Sequence, residues 1–203
     1  NSVILTSTGS TATIYSRIDP SANATDKTVI TSATQTTPDV VLGVFGLKAQ
    51  NQSATVNSLS FNINNSTGAA TTTLYSNLRV KVGGQTWGSN NPVAGNSTFT
   101  NLSISLPSDQ WVSVTLLADV NTAQTAISAS STLVGSAIGG VDTNFNSLTV
   151  STASNQTSTN NVYTTSGINV TPGSVVVSTC TGGNTTYQTN TCGLTMSFTV
   201  NNV

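Results

Sequence analysis

Glutamate and histidine are absent from this chain, and charge of either sign is scarce. Six aspartates and five lysines or arginines make up 5% of 203 residues, where an ordinary soluble domain carries about 25%. Without histidine there is no Ser-His pair and no imidazole base. Without glutamate, a paired-carboxylate site has only Asp19, Asp26, Asp39, Asp109, Asp119 and Asp142 to draw on. These are dispersed and mostly sit near turns, where aspartate is expected on backbone grounds alone. The chain is therefore expected to be no enzyme and to need no cofactor or metal. The cations Arg17, Lys27, Lys48, Arg79 and Lys81 are scattered and the net charge is −1. That pattern excludes nucleic acid as a partner, because phosphate neutralisation needs clustered cations.

Long hydrophobic runs are also missing. No apolar stretch reaches the roughly 18 residues of a membrane helix, so no membrane insertion is expected. The most apolar segment, Val40–Leu47 (VVLGVFGL), suits a buried strand. The chain starts NSVILTSTG, with neither a pilin-type apolar helix nor a lipobox-like cysteine near the start. A mature product whose signal peptide has been removed is the expectation from that start.

Only two cysteines occur, Cys180 and Cys192, flanking TGGNTTYQTNT. In an exported protein a disulfide closing this loop is the natural reading, contributing roughly 3 kcal/mol on the loop-entropy model. Two free thiols in a cytosolic protein are the alternative.

What fills the chain instead is neutral polarity. Serine (29), threonine (38) and asparagine (23) supply 90 residues, so hydroxyls and amides take over the surface role of ions. Disorder throughout is not expected, because hydrophobic residues reach 36% and net charge is near zero. Helix formers are rare and β-branched residues abundant. Alternation of period two recurs at Val56–Ile63, Leu78–Val82, Phe99–Leu106, Trp111–Val120 and Leu194–Val200. Arg79 and Lys81 alternate with Leu78, Val80 and Val82, so both cations are expected to face water. Turn signals separate the runs, among them Gly83-Gly84, Asn90-Asn91-Pro92, Pro107-Ser108-Asp109 and Gly139-Gly140. The reading is all-β: an antiparallel β-sandwich, Ig-like or jelly-roll-like. It divides into an N-terminal tail or strand over 1–18, a sandwich over 19–165 and a C-terminal hairpin over 166–203. Strands at Val175–Thr179 and Leu194–Val200 would form that hairpin, stapled by Cys180–Cys192.

Nine Asn-X-Ser/Thr sequons lie at Asn23, Asn51, Asn64, Asn65, Asn96, Asn101, Asn155, Asn169 and Asn184. Chance at this composition gives about 7.6, so the count itself is uninformative. The motif marks N-linked glycan sites only in an exported chain. Asn23, Asn96, Asn155 and Asn184 are favoured by polar, loop-like settings, and overlapping Asn64 and Asn65 would share one glycan. Asp119 interrupts the apolar run LLADV. It is read first as a strand-end aspartate capping a turn. Calcium ligation, or a partnership with Lys48 or Lys81 extending to an isopeptide crosslink, are its other roles. Trp87, Trp111, Tyr15, Tyr75, Tyr163 and Tyr187 could form a sugar-binding platform, although aromatics in sandwiches more often pack. With six carboxylates and no histidine, stability is expected to change little between neutral pH and about pH 3.

In its Ser/Thr/Asn-rich, nearly charge-free β character, its sequons and its two strand-like ends, the chain resembles archaeal surface-filament subunits of the thread and bundling-pilus type from thermophilic crenarchaea. The segment from Val40 to Val120 (VVLGVFGLKAQ, NLRVKVGGQTW, VSVTLLADV) also looks like β-sandwich modules of large bacterial surface proteins. The first resemblance implies a glycosylated extracellular homopolymer joined by donor-strand complementation. The second implies a cell-wall or S-layer module, and a carbohydrate-binding adhesin is a third possibility. A donor segment must be extended, free of charge and regularly apolar. Residues 2–15 meet this through Val3, Leu5, Ala12 and Ile14. The segment Leu194–Val200 alternates more regularly but is expected to be tied to its own hairpin.

Overall fold

The computed structural model describes residues 10–22, 25–32, 34–68, 71–122, 127–151, 154–165, 168–177 and 194–202. The chain divides into two units, Asn1–Thr164 and Thr165–Val203.

The first unit is all-β. Its early strands are β1 (Thr13–Ile18), the short β2 (Lys27–Ile30), and the long β3 (Thr37–Gln50) and β4 (Ala54–Asn65). A four-residue helix, α1 (Thr71–Leu74), leads into β5 (Tyr75–Val82) and β6 (Gln85–Asn90). Then come β7 (Asn96–Phe99), β8 (Ile104–Leu106), β9 (Trp111–Val120) and β10 (Ile127–Leu133). Short strands close the unit: β11 (Gly139–Asp142), β12 (Thr149–Val150), β13 (Gln156–Thr157) and β14 (Asn161–Thr164). One sheet has the order β12-β1-β3-β9-β5-β6, and the other the order β11-β4-β10-β14-β2, with β13 on β10 and β7 and β8 on β4.

Alternation decides which face is buried. On β9, Val114, Leu116, Ala118 and Val120 are buried while Trp111 and Ser113 are exposed. Leu59, Phe61 and Ile63 on β4 face the same core from the second sheet. Phe45 of β3 and Phe61 of β4 meet across the sandwich, ring centroids 5.6 Å apart, and Phe99 packs edge-on against Phe61 at 5.9 Å. Tyr75 of β5 and Tyr163 of β14 form a second bridge, where the Tyr75 hydroxyl donates to the Tyr163 hydroxyl at 2.9 Å. Burial raises the pKa of both phenols, so both stay protonated and serve as hydrogen-bonding groups.

Three sequence expectations need correction. The sheets are not purely antiparallel, because β1 pairs with β12 and β14 with β2 in parallel. Phe99–Leu106 is not one strand. Asn101 takes a left-handed φ of 58°, which ends β7 and lets β8 begin in a new register against β4. Residues 10–18 are not a separate tail. β1 pairs with β3 over six positions from Thr13↔Gln50 to Ile18↔Phe45, and Ala12 and Ile14 are fully buried. Two apolar side chains already in a core cannot serve as a free arm without unfolding that edge.

The second unit holds a hairpin of β15 (Ile168–Val177) and β16 (Leu194–Asn202), paired antiparallel from Ile168↔Asn202 to Val177↔Leu194. Its register shifts between Pro172 and Val175, as expected of a proline that cannot donate to the ladder. Cys180 and Cys192 lie outside the described residues.

Candidate functional site: a cation–aromatic cluster and a part-buried ion pair

Cross-strand register assembles the first candidate site. Tyr15 of β1 lies opposite Lys48 of β3, which lies opposite Trp111 of β9. One row along, Arg17 lies opposite Gly46, and Gly46 opposite Ser113. All these positions alternate with core residues, so their side chains stand on the outer face of the sheet. The Arg17 guanidinium sits 4.0 Å from the Trp111 ring centroid. The Lys48 ammonium lies 5.3 Å from the Tyr15 ring and 5.5 Å from that of Trp111. Gly46 makes room for this stack, since a Cβ there would lie 3.1 Å from both Arg17 and Trp111 side-chain atoms. Each such exposed contact is worth about 0.5–1 kcal/mol. At the rim, the Asp19 carboxylate accepts from the Ser21 hydroxyl and amide and from the Ser113 hydroxyl. The Ser21 hydroxyl is the main reason its pKa is lowered. Two cations and two rings on one face suit an anionic group, with Trp111 offering an edge because Arg17 covers a face.

The wider aromatic platform does not form. Trp87 packs against the core, Tyr75 and Tyr163 are buried, and Tyr187 lies outside the described residues.

Asp119 answers a backbone need. The ladder of β3 against β9 shifts between Thr37 and Val40, and that of β5 against β9 between Ser76 and Arg79. Between these two bulges the Asp119 carboxylate accepts the Asp39 N–H at 3.1 Å and the Asn77 amide at 3.0 Å. It also accepts both terminal nitrogens of Arg79, one at 3.2 Å. Arg79 reaches on to Asp39, which Lys81 also approaches at 3.5 Å. The partner is thus Arg79, neither Lys48 nor Lys81. Nor does Arg79 face water freely, its side chain being 14% exposed.

The Arg79 hydrogen bond holds the Asp119 carboxyl down at about 2. Its folded pKa lies below the unfolded value, so its contribution is complete above about pH 5 and is lost as pH falls toward 2. Wild-type melting temperature should stay level from pH 7 to 5 and decline below pH 4. Asp119→Asn should remove about 1–2 kcal/mol at pH 7, the pair being partly open to solvent. It should also flatten the acid limb. Melting curves from pH 7 to 2 check this; an acid limb unchanged in the variant contradicts it. The onset near pH 4 tightens the broader tolerance expected from composition.

The sequons sort by position. Asn51 and Asn101 are exposed at left-handed φ values of 79° and 58°. Asn65 closes an Asx turn, accepting from the Thr67 amide and hydroxyl. Asn64, Asn96 and Asn155 line one neutral groove of about 360 Å³ with Asn62, Thr132 and Thr157. Asn169 lies on β15, while Asn23 and Asn184 fall outside the described residues, as do Val3 and Leu5. Sequence reasoning missed the Arg17–Trp111 stack and the shared groove. Both depend on register between strands distant in the chain. Among the described residues no group of three or more potential metal-ligating side chains occurs, and no helix is long and apolar enough to cross a membrane. Compared with known proteins, the chain matches no family model and no curated protein.

Proposed function

We propose that the chain is a structural subunit of an extracellular, N-glycosylated filament whose copies join by strand addition. The observation that carries this reading is the β2 edge. β2 pairs in parallel with β14 on one side, from Lys27↔Asn161 to Ile30↔Thr164, and has no strand partner on the other among the described residues. Ile30, 61% exposed, and Val162 of the neighbouring β14 offer an incoming strand apolar side chains to cover. Such an edge accepts a strand through main-chain hydrogen bonds. Lys27 and the length of only four residues limit indiscriminate pairing. A neutral surface of hydroxyls and amides supports an exterior role, since it is insensitive to salt and pH.

The donor segment narrows to the residues before Ser10. The Ser10 carbonyl already accepts from the Gln52 amide, and from Ala12 onward the chain serves its own sandwich. Deleting residues 1–9, with Val3 and Leu5, should abolish polymers while the melting temperature moves by no more than a few degrees. Electron micrographs and thermal melts of the truncated chain check this; polymers of normal length contradict it. The Arg17–Lys48–Trp111 stack favours a second reading, a carbohydrate-binding adhesin, in which the two cations would take a carboxylate-bearing sugar.

A further inference from the structure

Phe145 is the most anomalous side chain on the described surface. It is 86% exposed, and its φ of 63° is a left-handed conformation rare for a bulky residue. The loop that presents it is held tightly. Asp142, itself 3% exposed, accepts the amides of Asn144 and Asn146 through one carboxylate oxygen, at 2.7 and 3.0 Å. Its other oxygen accepts the Gln52 side-chain amide at 2.7 Å. The Phe145 amide donates to the Asp142 carbonyl at 3.0 Å, and the Asp142 amide to the Asn146 carbonyl at 2.9 Å. Thr143 and Asn144 also bond to Gln52. A ring held out in water on so fixed a loop is organised for contact.

A matching hollow lies at the other end of the same unit. Thr72, Tyr75, Ser76, Asn91 and Pro92 line an open depression of about 190 Å³. That is below the roughly 300–1,000 Å³ of small-molecule sites and suits a single side chain. The exposed Val93 follows Pro92 in the chain. Neither the hollow nor Thr143–Asn146 carries a charge. The Phe145 loop is anchored where Asp142 pairs with Ala54, the first residue of β4, whereas α1 follows the last, Asn65. The Thr71 hydroxyl of α1 donates to the Ile63 carbonyl of β4 at 3.5 Å, and Ile63 lies nine residues beyond Ala54, about 30 Å along an extended strand.

We propose that Phe145 of one copy docks into the Thr72–Tyr75–Pro92 hollow of the next. The contact uses two different surfaces at opposite ends, so it is head-to-tail and propagates. One phenyl ring covers far less than the 1,000 Å² or so of a stable interface, so it acts as the anchor of a larger contact. This inference rests on the reading that copies of the chain assemble, and it is independent of which strand is donated.

The test uses the intact chain. Chains refolded from urea over a concentration series and sized by sedimentation velocity should show that Phe145→Ser and Thr72→Trp each raise the concentration at which half the chains assemble about tenfold or more. Thermal melts of both variants should match wild type, since both positions are exposed. With Phe145→p-benzoylphenylalanine, irradiation should crosslink copies, and mass spectrometry should map the attachment within residues 71–93. Crosslinks elsewhere, or variants that associate like wild type, would overturn the docking while leaving assembly standing. A wild-type chain that remains monomeric at every concentration would overturn both.

Discussion

Phe61→Ala is expected to lower the unfolding free energy by about 3–5 kcal/mol, the usual cost of emptying a buried phenylalanine site. Phe61 has no exposed surface and stands where the two sheets meet. It touches Phe45 of the opposite sheet at 5.6 Å and Phe99 of its own at 5.9 Å. Its removal loses the transfer free energy of the ring and two aromatic contacts, and leaves a cavity that rigid strands close poorly. Against a total of about 5–15 kcal/mol for an ordinary domain, this is a large fraction. Urea unfolding with an unchanged slope measures it. A loss under 1 kcal/mol would mean that the sheets do not pack through this residue.

Gly140→Ala should cost about 3 kcal/mol or more, for a different reason. At the bulge between Gly139 and Gly140, β11 runs so close to β4 that a Cβ on Gly140 would overlap the Thr55 carbonyl oxygen. It would also lie 2.9 Å from the Val56 Cα. Backbone cannot swing aside as a side chain can, so the strand must shift, and overpacking of that kind sits at the upper end of its range. Gly84→Ala is the control. Gly84 has a φ of 81° but open space around it, so only backbone strain of about 1 kcal/mol is expected. Paired urea titrations read the difference. Equal costs at the two glycines would contradict the close approach of β11 to β4.

Local pattern carried much of the fold. The alternation of Trp111–Val120 reappears as β9, and Leu78–Val82 lies within β5. What local pattern could not carry is pairing between distant segments. The partnerships of β1 with β12 and of β14 with β2 join residues more than 130 positions apart, and nothing in either short strand marks its partner. Ala12 and Ile14 illustrate the same limit. An alternating, charge-free segment reads identically as a donor for a neighbour and as the first strand of its own sheet, and only the tertiary partner distinguishes them. Arg79 was legible as an outward residue of β5, but not as an ion-pair partner. Its contact with Asp119 depends on two bulges that bring β3 and β5 together around the end of β9. The Arg17–Trp111 stack was illegible because its members lie 94 positions apart and meet only through β3.

The polymer state of the intact 203-residue chain tests the central claim most directly. Negative-stain electron microscopy of the purified chain, before and after a urea concentration just short of unfolding, is the measurement. Filaments of uniform width that dissociate only where the sandwich itself unfolds are expected. Single particles of monomer size at high protein concentration in both samples would contradict the claim.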